Sequence, residues 1–382
     1  MNELRQKGSC GVQEKLRVLW VTNAFGCGGA ERQMLYMYSI LQQYCNIDIT
    51  ILYYAKVGDE LTFDDVKTVF VDKAKVGKIK TVREIARFIR KNNIQIMHAF
   101  GGSSANVYGR WGTVFTKAVP VGAVLGKRHF ASMGMKIANS LLNLFGNWWT
   151  VNNLELIPIL RRDLKFVSLE RIRMLHNGFV PASRINYQTG IQTEYDIDKG
   201  EDFVFCAVGR LQPVKNYGLY LRAAQRIIQK YEGVRFWVVG NGEEYQHLMA
   251  LAGELGIGSK VRFWGFRRDV DVILYRCDAF VQTSFTEGSP NTIAEAMRAG
   301  KPIISTKSTD LSEMIEQDQN GYIVPNDDVD QLLMAMENML QKSQGEREQM
   351  GRHSETLFTQ NFLDSQVARE FDRFYHEILK EG

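Results

Sequence analysis

Short uninterrupted apolar runs alternate with longer stretches of helical period along almost the whole chain, and that alternation leaves few folds open. RVLWVTN at 17–23 is the first such run, followed by the glycine-rich FGCGG and a helical stretch. IDITILYY at 47–54 and the runs at 94–99, 119–125, 148–151 and 171–175 repeat it, with a helix expected over 81–91. An apolar run without polar alternation is a strand covered on both faces, and strands that alternate with helices build parallel sheets. From 180 to 202 the pattern stops, and Pro181, Gly190 and Gly200 stand among polar residues. It then restarts, with strands expected at 203–208, 235–239, 261–264, 279–283, 302–305 and 321–324. Helices are expected at 217–231 and 243–255, and between each pair of the later strands. A last helix at 364–379 carries Val367, Phe371, Phe374 and Ile378 on one face.

The expected fold is α/β: two Rossmann-like doubly wound domains facing a central cleft. The first spans 1–185, the linker 186–200 and the second 201–360, with the C-terminal helix of 361–382 packing back on the first. Ligands of such sheets bind outside the carboxyl ends of the strands, so both domains would line one cleft.

Composition narrows the class. Of 382 residues, 45% are hydrophobic and 24% charged, as in a folded globular protein. The N-terminal stretch is polar with no secretory apolar run, and no window has the length of a membrane span. Cys10, Cys27, Cys45, Cys206 and Cys277 are scattered, without a CxxC pair, so reduced thiols in a cytoplasm and no zinc site are expected. Cys27 reads as a small buried residue. Residues 1–186 hold 26 Lys and Arg against 13 Asp and Glu, net +13; residues 187–382 hold 21 against 30, net −9. The basic half either meets an anionic partner or is a solvated face.

FTEGSPNTIAEAMRAGKPII at 285–304 follows an expected strand. Ser289 suits an N-cap and Pro290 the first helical position, leaving the N–H groups of Asn291 and Thr292 pointing outward. Such a helix start is an anion site made of backbone. Glu287 and Glu295 flank it. Carboxylates accept hydrogen bonds, so their partners should be hydroxyls beside a phosphate. The ligand expected is a phosphate between two hydroxyl-rich rings.

This E-x7-E with Gly-Ser-Pro-Asn inside it resembles the signature of retaining glycosyltransferases of the GT-B fold, their large fourth family (group 1). Other segments match in order. GGAERQM at 28–34 resembles the family's N-terminal glycine turn, and HNGF at 176–179 its interdomain Asn-Gly. VGRLQPVKN at 208–216 resembles its phosphate loop, and WVVGNGEEYQHL at 237–248 and FWGFRRDV at 263–270 the two loops after it. Six motifs in order, over nearly the whole chain, are far more specific than one.

The resemblance implies an acceptor-binding first domain and a nucleotide-sugar-binding second domain. Gly28 and Gly29 would let the backbone approach the donor. Gly209, Arg210 and Lys215, with the backbone of Gly288, Ser289, Pro290, Asn291 and Thr292, would hold the diphosphate. Glu287 would take the donor sugar, Glu295 the ribose, and the turn Gly265-Phe266-Arg267 the base. The activity implied is transfer of a sugar from a nucleotide diphosphate, UDP by preference, to an acceptor hydroxyl with retention, in cell-surface glycan or glycolipid synthesis. No metal and no cofactor are implied, in keeping with the lack of an Asp-x-Asp in a suitable loop, and no nucleic acid is expected as partner. The site histidine of the family maps to His129, with His98 the other candidate and more often structural.

Alternatives from other classes stand beside this. A nucleotide-sugar epimerase of the same shape needs more acid and base groups in the cleft. A non-catalytic nucleotide-binding scaffold needs none. Lacking G-x-G-x-x-G, the first turn argues against a nicotinamide cofactor. KAKVGKIKTVREIARFIRKNN at 73–93 carries eight basic residues and one acid, and FASMGMKIANSLLNLFGNWW at 130–149 is apolar with a lone Lys136. Together they suit peripheral docking on the anionic inner face of a membrane, beside a glycan or lipid-linked acceptor. The bland reading is a solvated helix and an interdomain core segment.

Overall fold

The computed structural model describes residues 14–24, 29–56, 65–126, 132–184, 197 and 200–381. The first half contains strands β1 (Leu16–Ala24), β2 (Ile47–Ala55), β3 (Thr68–Phe70), β4 (Ile96–Ala99), β5 (Val119–Val124), β6 (Trp148–Val151) and β7 (Ile172–Met174). They form one parallel sheet in the order β3-β2-β1-β4-β5-β6-β7. Helices α1 (Gly29–Tyr44), α2 (Lys73–Lys91), α3 (Ser103–Thr113), α4 (Met133–Asn143) and α5 (Leu156–Asp163) connect them.

The second half repeats the plan with β8 (Phe203–Val208), β9 (Val234–Val239), β10 (Val261–Gly265), β11 (Ala279–Gln282), β12 (Ile303–Thr306) and β13 (Gly321–Val324). Their order is β10-β9-β8-β11-β12-β13, again parallel. The helices are α6 (Tyr217–Lys230), α7 (Tyr245–Glu254), α8 (Val270–Arg276), α9 (Asn291–Arg298), α10 (Val329–Gln341), α11 (Gln344–Asn361) and α12 (Asp364–Glu381). Both sheets reverse direction beside their first strand, which opens a crevice there at the carboxyl ends. The fold is thus α/β with two doubly wound sheets, as the alternation demanded.

The last helix crosses between the halves. Phe179 donates its N–H to Phe362 O at 2.9 Å and accepts from Asp364 N at 2.9 Å, a short parallel bridge just before α12. Val367, Phe371, Phe374, Tyr375 and Ile378 of α12 are buried in one cluster with Trp20 and Ile96 of the first sheet. Each such side chain contributes about 1.5–3 kcal/mol by leaving water, enough to fix the helix to the first sheet.

Two expectations fail. No helix separates β12 from β13: residues 307–320 form turns, with one helical turn closed by Met314 N and Ile315 N on Leu311 O. The helix expected at 81–91 begins instead at Lys73, where Asp72 caps it, and kinks at Gly77 with φ +78°. Only glycine takes that φ cheaply, so the sequence reads as a break where the chain continues.

Candidate active site in the interdomain cleft

Two loops of the second sheet are tied into one platform. Phe285 N donates to Val214 O at 2.8 Å, and Thr283 Oγ1 to Lys215 O at 3.0 Å, so the loop after β11 is held to the loop after β8. In the latter, Asn216 takes a left-handed φ of +49°, which asparagine tolerates, and its amide reaches Asp327 at 3.1 Å. That turn aims Lys215 at the first loop. Its Nζ lies 2.5 Å from Glu287 Oε1, which also accepts from Ser284 Oγ at 2.6 Å. Among the described residues Glu287 Oε2 takes no hydrogen bond. Glu287 and Lys215, placed together by the structure, are therefore paired with each other when no ligand is present.

Helix α9 starts one residue later than Ser289 and Pro290 suggested. Pro290 has ψ 84°, outside the helical range, and occupies the cap position without a side-chain cap. Asn291 N is not free either; it donates to Ser289 O at 3.0 Å. Among the described residues the backbone N–H groups of Gly288, Ser289 and Thr292 take no acceptor, whereas the one expected at Asn291 is occupied. Arg210, after Gly209, is exposed and makes no ion pair among the described residues.

Gly209 itself lies against the next loop. A Cβ on Gly240, whose φ is +138°, would sit 1.9 Å from Gly209 O, so the loops after β8 and β9 touch backbone to backbone. Gly265 ends β10 and accepts from Gly240 N at 2.8 Å. Phe266 is 57% exposed beyond it. Arg267 turns inward to a two-point pair with Asp269 at 2.8 and 2.6 Å, so it braces this turn. Hydrogen bonding from Arg267 holds the Asp269 carboxyl below its usual range. Glu295 of α9 is half-buried, one turn past Asn291. Gly29 opens α1, whereas Gly28 and His129 lie outside the described residues. Gly126, the last described residue before His129, packs on the platform: a Cβ on Gly288 would meet Leu125 O at 2.4 Å and Gly126 Cα at 3.2 Å.

A cavity of about 250 Å³ lies between the two sheets, bounded by Glu287, Gly288 and Ser289 on one side and by Asn152, His98 and Phe371 on the other. A larger one, about 420 Å³, sits at the outer edge of β9, β10 and α7 and holds none of the expected site residues. Glu287, Gly288, Ser289 and Asn291 of the expected site line the former.

His98 lines that cavity without being available to it. Tyr375 Oη, which accepts from Trp20 Nε1 at 3.0 Å, is 2.8 Å from His98 Nδ1, and Thr150 Oγ1 is 2.9 Å from Nε2. Burial lowers its pKa to about 3, so the ring is neutral and both nitrogens are occupied.

His176 went unnoticed in the sequence beyond its motif, yet it joins the domains. Nε2 lies 3.0 Å from Glu313 of the β12–β13 connection and Nδ1 3.0 Å from Glu370 of α12. Burial alone would lower its pKa, but hydrogen bonds and charge from Glu313 and Glu370 outweigh that and raise it to about 9. An unfolded histidine titrates near pH 6.5. The raised value means that the stabilisation is complete below about pH 6.5 and is lost as pH rises towards 9. Unfolding free energy should therefore fall by roughly 2 kcal/mol more in the wild type than in His176→Gln between pH 6.5 and 9. Parallel urea titrations with identical slopes against pH would remove the clamp. Beside it, Asn177 Nδ2 donates to Asn291 Oδ1 at 2.8 Å, a second bond across the cleft.

The profile of the family described as glycosyl transferases group 1 matches residues 193–356, which contain every expected site residue from Gly209 to Glu295. This chain is similar to that family over residues 193–356.

Relatives of this chain include the lipopolysaccharide core biosynthesis glycosyltransferase LpsE of Rhizobium meliloti, 31% identical over 41% of this chain and 45% of the relative. Another is the UDP-Gal:alpha-D-GlcNAc-diphosphoundecaprenol alpha-1,3-galactosyltransferase of Escherichia coli, 30% identical over 36% of each chain. The matches thus span less than half the length of these two curated relatives. The solved structure of HepE of Anabaena in complex with UDP superposes with a TM-score of 0.78 at 18% identity, covering 94% of this chain and 100% of that one. At that identity the likeness shows the fold, the two-domain GT-B arrangement, and nothing finer.

Proposed function

We propose that this protein transfers a sugar from a nucleotide diphosphate, uridine-linked, to a hydroxyl of a glycan or lipid-linked acceptor, with retention and without a bound metal. One observation carries the proposal: Glu287 and the unpartnered N–H groups of Gly288 and Ser289 stand on the wall of a single interdomain cavity, and Lys215 is bonded to Glu287 there. The N–H groups with Lys215 and Arg210 neutralise a diphosphate, which displaces Lys215 from Glu287. The freed carboxylate then accepts hydroxyls of the transferring sugar. As the bond from C1 to the diphosphate oxygen breaks, charge grows on that oxygen, where the cations and helix end already lie. The acceptor oxygen bonds C1 on the same face, and its proton passes to the departing diphosphate. The names of two relatives, one for lipopolysaccharide core biosynthesis and one for galactose transfer to GlcNAc-diphosphoundecaprenol, support a hexose and a cell-surface product. The occupied, neutral His98 speaks against the epimerase.

Incubation with a panel of UDP- and GDP-sugars tests this. A UDP-sugar should raise the melting temperature, and NMR of the product should show the donor's anomeric configuration. A panel in which no donor stabilises the protein would end the proposal.

The acceptor reading extends to a membrane surface. Helix α4 buries Asn139, Ser140 and Asn143 beside Leu142, while Met133, Ile137 and Leu141, and Leu144 just after it, are exposed. The buried Arg110 guanidinium fixes this by bonding Asn139, Asn143 and Asn147 and lying 4.4 Å over Trp149. Helix α3 packs on both α4 and basic α2, so apolar stripe and cations share one layer of the first domain. Among the described residues no helix is long and apolar enough to cross a membrane. Peripheral docking at an anionic inner face, on the cytoplasmic side, uses both features. The wild type should co-sediment with anionic vesicles at low salt and the double variant Ile137→Glu, Leu141→Glu should not; equal recovery of the two would refute it.

A further inference from the structure

Across the cavity from Glu287, one polar atom has no employment in the fold. Asn152 follows β6 directly, and its Oδ1 is buried on the cavity wall with no hydrogen bond. Its neighbours account for themselves. Thr150 Oγ1 serves His98 and reaches Gly122 O at 3.3 Å. Asn153 Oδ1 accepts from Glu155 N at 2.9 Å, and its Nδ2 donates to Asp310 O at 3.0 Å across the domains. A buried carbonyl without a donor opposes folding, and an apolar side chain of the same shape would avoid that penalty. Its retention on the wall of a cavity points to a donor that arrives with a ligand.

Resting on the proposed transferase reading, we infer that Asn152 Oδ1 accepts a hydrogen bond from a hydroxyl or amide N–H of the transferring sugar. Glu287 Oε2 is open on the opposite wall, so the sugar ring would be read by two acceptors, one from each domain. The ring thereby bridges the cleft, and Asn152 is a positioning residue that makes occupancy by the sugar favour closure. The nucleotide and its phosphates contact the second domain only and do not involve it.

The test compares UDP with the UDP-sugar selected by the panel, on wild type and Asn152→Leu, by calorimetry and by steady-state rates. UDP affinity should change less than twofold in the variant. UDP-sugar affinity should fall about tenfold, and kcat should fall with it while the acceptor KM stays the same. The ligand-free variant should melt no lower than the wild type, because an unsatisfied acceptor is removed. Asn152→Asp keeps the acceptor but adds charge beside a diphosphate, and should weaken UDP itself. A variant that keeps the full advantage of UDP-sugar over UDP overturns the inference and leaves the transferase intact. A raised acceptor KM with unchanged donor affinity assigns the atom to the acceptor and likewise overturns it. Failure of the wild type to bind UDP sinks the transferase reading and this one with it.

Discussion

Lys215→Ala should lower the rate of sugar transfer about 100- to 1,000-fold while leaving a folded protein, the loss expected when one preorganised group facing a developing negative charge is removed. In the free protein Lys215 neutralises Glu287, and both side chains are largely covered, 25% and 12% exposed. The variant leaves the Glu287 carboxylate beside the phosphate site with Ser284 as its remaining partner, so donor affinity falls as well as turnover. The helix-end N–H groups survive the change, so some binding of UDP should persist. Circular dichroism and melting separate loss of site from loss of fold. A Lys215→Ala protein with normal turnover would remove the central cation from the mechanism.

Gly288→Ala should cost about 100-fold in activity by a different route. The added methyl would lie 2.4 Å from Leu125 O and 3.2 Å from Gly126 Cα, both backbone atoms that cannot rotate away. The second domain must therefore withdraw from the first by roughly 1 Å, and a displacement of that size at a reacting centre costs on the order of 100-fold. Neither core is touched, so the melting temperature should hardly move. Small-angle scattering should show a slightly more open particle. Normal activity in Gly288→Ala would mean that the close approach of Gly288 to Leu125 is not part of the working state.

The two sheets were legible because their strands are apolar on both faces, a pattern with few competing readings. The misses have local causes. Strand β3 is three half-covered or exposed residues at a sheet edge, too short and too mixed to announce itself. The β12–β13 connection carries helix-forming residues but closes only one turn, so composition there misled. At the site, residue types were legible and their exact engagement was not. Pro290 shifted the helix start by one, which moved the free N–H groups from Asn291 and Thr292 to Gly288, Ser289 and Thr292. The His176 clamp brings together residues 137 and 194 positions apart, a pairing that only the folded chain reveals. The direction of α4 was hidden for the opposite reason: a purely apolar reading of 130–149 overlooked its asparagines, which the buried Arg110 turns inward.

On the proposed reading, main-chain N–H groups after β11 hold a diphosphate while Lys215 leaves Glu287 for it. Amide resonances of Gly288, Ser289 and Thr292, followed by NMR during titration with UDP and separately with uridine, test it most directly. UDP should shift all three strongly and uridine should leave them in place. Saturating UDP with those amides unmoved, and Lys215 still paired to Glu287, would contradict the assignment.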